Sequence, residues 1–219
     1  MIKSKKLSKF KDVTHSFFNK SYLKSKSKKI FFLKQIHSNK FYFIDKNSKT
    51  RNQVHGDALI TNKKNLLIGV LTADCAPILI HDHNIKMIAA IHAGWKGALK
   101  DVIKKVVQFM IKKGCSPESM TAAVGPCIAL KNYEVKQDFI KRFIKKDKKN
   151  KIFFKKIKKK NYFSLNRYIF SQLKSLDIKS IEIINKDTFD EKNNFFSARR
   201  SIGRKENDYG RNISVIMIN

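Results

Sequence analysis

Cysteine, histidine and arginine are all scarce in this 219-residue chain, and each scarcity removes a class of answer. The three cysteines, Cys75, Cys115 and Cys127, are too few and too irregularly spaced for a disulfide framework. No Cys-x-x-Cys pair occurs, which excludes a zinc finger or ribbon as the main reading. The longest apolar run, residues 66–80, is short for a bilayer and contains Asp74 and Pro77, so no membrane association is expected. The basic N-terminus is not followed by a signal-like apolar stretch, so a cytoplasmic protein with reduced thiols is expected. No internal repeat is present.

What the chain has in excess is lysine. The formal net charge is +31, which at first sight points to nucleic acid or an anionic surface. Only seven of the 48 basic residues are arginines, however, and the lysines run through the whole chain together with Asn and Ile. A drift of that kind reads as coding bias ahead of a dedicated nucleic-acid function, and any nucleic-acid binding is expected to be nonspecific. The densest block, residues 141–160, has no glycine and no regular aromatic spacing. It reads as a solvated helix end and loop with its aromatics turned into the core. Apolar content of 42% with 17 Phe is ample for one core. Residues 1–219 are therefore expected to form one domain, with 1–12 as a basic N-terminal tail.

Short apolar runs predict strands at 30–32, 40–44, 58–61, 66–72, 77–81, 85–91, 121–124, 181–184 and 213–218. Asn62-Lys63-Lys64-Asn65 reads as a hairpin connection, and 20–29 as a lysine-rich surface loop. One helix is expected from 97 or 98 to 113, because Leu99, Val102, Ile103, Val106, Val107 and Met110 recur at spacings of three and four. Gly114 supplies its stop. Ser116-Pro117-Glu118 reads as a capped helical turn, and further amphipathic helices are expected over 133–144 and 164–176.

Three strand ends carry metal-ligand chemistry. His37 lies in Gln35-Ile36-His37-Ser38, Cys75 in Thr72-Ala73-Asp74-Cys75-Ala76-Pro77, and His92 in His92-Ala93-Gly94-Trp95-Lys96-Gly97. Two imidazoles and one thiolate leave the fourth position of a tetrahedral zinc ion open, as a catalytic site requires. An ion so held lowers the pKa of water to about 7. His15, His55, His81 and His83 compete for the ligand role on spacing alone.

These motifs, with Gly125-Pro126-Cys127-Ile128, Tyr133-Glu134-Val135, Gly56-Asp57-Ala58 and Phe195-Phe196-Ser197-Ala198-Arg199-Arg200, resemble the laccase-domain family. The family was first described as multicopper polyphenol oxidases and is now regarded as zinc-dependent purine nucleoside phosphorylases. The resemblance runs from about Thr14 to Asn219. It implies an α+β fold of mixed sheets layered with helices, and metal ligands at His37, Cys75 and His92, the trio also reached from the chemistry. It further implies phosphorolysis of adenosine, inosine and methylthioadenosine to the base and a ribose 1-phosphate, and deamination of adenosine. Purine nucleosides and phosphate are thus the expected partners, and Zn2+, ahead of copper, the expected cofactor. Arg199 or Arg200 is expected to touch phosphate or order the site, with Lys20 where relatives carry Arg. Asp74, beside Cys75 in the catalytic turn, and Asp57 are candidates for proton handling or for orienting a ligand histidine, with turn capping the simpler role for Asp57. Trp95 is expected to shape its turn and pack, with stacking on a base as the second role.

The chain departs from that pattern in places. Phe17-Phe18-Asn19-Lys20-Ser21 lacks the usual glycines, Lys186-Asp187-Thr188 stands where a Cys-Thr pair is usual, and Ala198 replaces a Tyr. Two other functions remain open at this point. One is a copper-dependent phenol oxidase, for which six histidines are few. The other is a basic nucleic-acid-binding protein with a relic metal site.

Overall fold

The computed structural model describes residues 1–21, 29–45, 54–206 and 209–219. Most of the expected 20–29 loop lies outside them. The strands are β1 (Val13–Phe17), β2 (Phe41–Ile44), β3 (Ala58–Thr61), β4 (Ile68–Thr72), β5 (Ala76–Asp82), β6 (Met87–Ala93), β7 (Met120–Val124), β8 (Glu134–Val135), β9 (Phe154–Ile157), β10 (Lys160–Phe163), β11 (Ser180–Ile183) and β12 (Asn212–Ile218). The α-helices are α1 (Trp95–Leu99), α2 (Val102–Lys112), α3 (Gln137–Lys146), α4 (Leu165–Lys174) and α5 (Ala198–Gly203). The fold is α+β, as expected.

A six-stranded sheet, in the order β11-β7-β5-β6-β3-β2, forms the middle layer. Its β11–β7 and β2–β3 pairs are parallel and the others antiparallel. Alternate residues leave opposite faces of each strand. Ile60, Ile78, Ile80, Ala89 and Ile91 pack against α2, α3 and α4. Leu59, Leu79, Ile88 and Ala90 pack against a second sheet, β1-β12-β4, through Phe17, Ile68, Val70, Ile216 and Ile218. Burial on both faces explains why β5 and β6 read as nearly unbroken apolar runs. A small third sheet, β8-β10-β9, carries an aromatic cluster of Phe139, Phe143, Phe154 and Phe163.

Several expectations are corrected. The 62–65 connection does not close a hairpin: β3 and β4 belong to different sheets, and the loop crosses between layers with Asn65 N–H donating to the Ile218 carbonyl at 2.8 Å. The long helix is two, because Asp101 turns left-handed at φ 65° between α1 and α2. Gly114, at φ 98°, ends α2 as expected. The strand expected at 30–32 is a single bridge, Phe31 to Ile68. The helix expected from 133 begins at Gln137, since Glu134 and Val135 pair with β10. Within the lysine block, the expected loop is the β9–β10 hairpin, although Phe143 and Phe153 are buried as read. Residues 1–12 are docked: Ile2 bridges Phe17, Leu7 is fully buried, and Ser4 Oγ donates to Glu182 at 2.6 Å.

Candidate metal centre

The layered fold delivers three turns to one place. The chain leaves the second sheet at the end of β4 and enters the six-stranded sheet at β5, and Asp74 and Cys75 form the crossing. His92 is next to last in β6, followed by Gly94 and α1. His37 sits in the turn before β2, at a left-handed φ of 56° that needs support from its neighbours. The ligand atoms of His37, Cys75 and His92 lie within 4.8 Å of one another, and His37 Nε2 is 3.9 Å from Cys75 Sγ. His37 is exposed, Cys75 half-buried and His92 buried, so the cluster has one open side. No other such group of three is found among the described residues.

Asp57 organises the cluster from behind. Its Oδ1 accepts from His92 Nδ1 at 2.8 Å and from the His37 N–H at 2.9 Å. Its Oδ2 accepts from the Ser38 N–H and hydroxyl, both at 2.6 Å. Asp57 therefore fixes the His37 turn and directs Nε2 of His92 towards Cys75. Burial opposes ionisation of Asp57, but the bonds from His92 and Ser38 outweigh it and bring its pKa to about 2. Burial likewise disfavours a charged His92, yet Asp57 and Cys75 raise it to about 9. The Cys75 thiol, against the same burial, falls to about 7 beside His37 and His92.

This donor set suits one metal ion. A tetrahedral ion at ~2.0–2.3 Å from N and S donors holds them roughly 3.3–3.6 Å apart, close to the 3.9 Å between His37 and Cys75 and within about 1.5 Å of the 4.8 Å that bounds the trio. The thiol is ready to ionise near neutral pH, as ligation requires. Gly94 leaves the space: a Cβ there would lie 2.7 Å from Cys75 Sγ and 3.1 Å from the His37 ring. The competing histidines are placed elsewhere. His15 Nε2 accepts from the Ser4 N–H, His55 bridges Lys34, and His81 and His83 pack on Phe10.

Asp74, at φ 81°, aims its carboxylate away from the trio. Its two oxygens accept from Thr188 Oγ1 and from the Arg199 N–H in α5, each at 2.7 Å. Arg199 also reaches the Glu134 carbonyl at 3.1 Å and lies over the Tyr133 ring. Arg200 is buried, and its guanidinium donates to the carbonyls of Thr188, Phe189 and Phe195 at 2.6–2.9 Å. It therefore orders the loop that presents Thr188. Lys20 is not brought to the trio; its Nζ lies 5.2 Å over the Phe196 ring. Asp187 accepts from the Ala129 and Phe189 N–H groups and from Asn132 Nδ2, tying two loops together. Trp95 packs on Phe139 at 4.8 Å, within the aromatic cluster.

Cavities flank the trio. One, of about 170 Å³, is lined by Cys75, Ile128, Tyr133, Leu165, Arg199 and Ile202. The other, of about 320 Å³, is lined by Lys34, Gln35, His37, His92, Tyr209 and Arg211. Gln35, Tyr133 and Thr188 entered the sequence reading only as parts of quoted motifs with no role assigned, and Tyr209 was not singled out.

Fold and site together define an α+β enzyme with a His-Cys-His group able to hold one metal ion. Residues 14–219 match the family described as multi-copper polyphenol oxidoreductase laccase, and the chain belongs to that family. Among its relatives is a purine nucleoside phosphorylase of Rickettsia prowazekii (strain Madrid E), 37% identical over 178 residues, 80% of this chain and 72% of that protein. Adenosine deaminase RL5, of an unknown prokaryotic organism, is 38% identical over 89 residues, 41% of this chain and 34% of that protein. The crystal structure of Bacillus licheniformis hypothetical protein YfiH superposes with a TM-score of 0.78 at 25% identity, over 87% of this chain and 74% of that one. Among the described residues no helix is long and apolar enough to cross a membrane.

Proposed function

We propose that this enzyme is a zinc-dependent purine nucleoside phosphorylase. Its substrates are adenosine, inosine and methylthioadenosine, and it also deaminates adenosine. The observation that carries the reading is the open His37–Cys75–His92 cluster between two cavities, in a chain whose relatives bear those two activity names. A bound zinc ion would be held by His37, Cys75 and His92 and would supply a Lewis acid that activates water near neutral pH.

In phosphorolysis a phosphate oxygen bonds to the sugar carbon as the bond to the purine nitrogen breaks, and the purine leaves with a proton. Asp74 stands at the mouth of the smaller cavity, anchored by Thr188 and Arg199, where it can orient or protonate the departing base. Arg199 contacts substrate from the same wall, and Arg200 keeps that wall in register. Lys20 would act only on a substrate group that extends to Phe196. A copper-dependent phenol oxidation finds less support, because the four described histidines outside the trio do not join a second cluster. The three free cysteines and the ionisable Cys75 support a reducing cytoplasmic setting. Strands that feed both apolar layers support a single domain.

The test is to incubate the zinc-loaded protein with adenosine and phosphate and follow adenine, inosine and ribose 1-phosphate. All three are expected, and His92→Ala is expected to abolish them. Turnover that survives His92→Ala would remove the proposed site from the reaction.

A further inference from the structure

The two cavities beside the trio share Ala73 in their walls but differ in chemistry. The smaller one is largely apolar: Ile128, Leu165 and Ile202 face it, with the buried Tyr133 phenol kept neutral by burial, which pushes its pKa up. The larger one has Lys34 and Arg211 in its wall and, among the described residues, no carboxylate. Asp57, behind the two histidines, is fully engaged by the two histidine segments and Ser38.

Of the nearby arginines, Arg200 is held by three carbonyls and Arg204 by Glu191 at 2.6 Å, while Arg199 lies on the wall of the smaller cavity over the Tyr133 ring. Neither Lys34 nor Arg211 forms an ion pair with a carboxylate among the described residues. The Arg211 guanidinium is nevertheless ordered. It stacks 4.2 Å from the Tyr209 ring centroid, and one amino group donates to the Tyr209 and Gly210 carbonyls. A guanidinium fixed in place and paired with no carboxylate among the described residues is preorganised for a tetrahedral oxyanion. Gln35 supplies the floor, since its amide both donates to the Leu71 carbonyl at 2.7 Å and accepts from the Leu71 N–H at 2.8 Å.

We infer that the larger cavity is a phosphate subsite in which Arg211 is the principal ligand and Lys34 the auxiliary charge, opposite an apolar purine pocket at Tyr133, Leu165 and Ile202. This assignment rests on the phosphorolysis reading and gives it a direction. The glycosidic bond lies across the open face of the trio, with the base towards Arg199 and the attacking phosphate towards Arg211. The anion is the inorganic phosphate that becomes ribose 1-phosphate, as opposed to a phosphate ester on the nucleoside.

The test is steady-state kinetics at fixed high ionic strength, with phosphate varied against adenosine. Arg211→Gln is expected to raise the phosphate KM at least about tenfold, with the adenosine KM moving less than about twofold. Arg211→Lys recovers part of the loss, because a point charge replaces the fork. Arg199→Gln is expected to move the adenosine KM more than the phosphate KM. An unchanged phosphate KM in Arg211→Gln, or a rise caused by Arg199→Gln instead, overturns the assignment. Adenosine 5′-monophosphate offered in place of adenosine separates the two sources of phosphate. A loss in Arg211→Gln confined to that ester overturns the co-substrate role. If the wild type makes no ribose 1-phosphate, phosphorolysis itself fails, and calorimetric titration with inorganic phosphate decides the subsite alone. One saturable site lost in Arg211→Gln upholds it, and equal binding by both proteins overturns it.

Discussion

At Asp57 a single carboxylate carries the order of both histidines, so its replacement separates geometry from charge. Asp57→Asn keeps the size but leaves one acceptor oxygen for four donors, those of His92, His37 and the two groups of Ser38. Loss of such an orienting partner weakens metal affinity roughly 10–100-fold, and competition with a chromophoric zinc chelator measures it. An affinity within about twofold of wild type would show that Asp57 only caps the turn. Gly94→Ala tests the space in place of the orientation. A Cβ 2.7 Å from Cys75 Sγ displaces the thiol, so bound zinc, counted by elemental analysis, should fall well below one per chain. At this scale the sequence was informative where chemistry and motif coincide, as for His37, Cys75 and His92. It was uninformative where the partner is main chain. Arg200 read as a phosphate ligand or an ordering group, and nothing in the residue types says that three carbonyls surround it. Arg211 differed from Arg200 and Arg204 only once the carboxylates were placed.

The β9–β10 hairpin shows the same limit for an element. Lys160 pairs with Ile157 across a two-residue loop, and both loop residues are left-handed, Lys158 at φ 45° and Lys159 at φ 64°. That is the backbone of a type I′ turn, which strongly favours Asn-Gly. Lys-Lys gives no such signal, so the block 141–160 reads as solvated loop. By contrast, 62–65 begins and ends with Asn between two apolar runs and looks like a hairpin, although its strands pair in different sheets. Strand pairing is non-local, and local turn chemistry misleads in both directions here. Helix periodicity was more reliable because it is local; the α2 face and its Gly114 stop were legible, while the left-handed Asp101 that divides α1 from α2 was not. The hairpin yields a prediction. Lys158→Asn with Lys159→Gly should stabilise the protein by about 1 kcal/mol, relieving two strained left-handed residues. For a chain of this size that raises Tm by roughly 2–4 °C, readable by calorimetry. A lower Tm would mean that the two lysines hold the turn by contacts beyond the backbone.

For the whole molecule the point of acid weakness lies far from the trio, between the sheet layers. His81, in β5, has its side chain fully buried, and neither ring nitrogen has a hydrogen-bond partner among the described residues. The nearest carboxylate oxygen, of Asp12, is 4.0 Å away and is engaged by Lys86 at 2.6 Å. Burial, only partly offset by Asp12, brings the His81 pKa down to about 4 from its ordinary 6.5. In the unfolded chain His81 takes its proton near pH 6.5, whereas in the folded chain it resists until about pH 4. The unfolded state therefore binds more protons throughout that interval. Stability is complete above it and declines as pH falls, by about 1.4 kcal/mol for each pH unit. Buried His15, also lowered, acts in the same direction. The linkages of Cys75 and His92 belong to higher pH, since their values are about 7 and about 9. Urea unfolding at pH 5.5 and 4.5 thus reads mainly the layer histidines, with a smaller part from lowered carboxylates such as Glu182. His81→Leu should be at least as stable as wild type at pH 7, because it removes two unpartnered buried nitrogens. It should also lose most of the difference between pH 5.5 and 4.5, keeping the parts due to His15 and to lowered carboxylates such as Glu182. An undiminished acid slope in His81→Leu would place the weakness in the carboxylates instead, and the layer between β5 and β1 would no longer be the element that sets the acid limit of the fold.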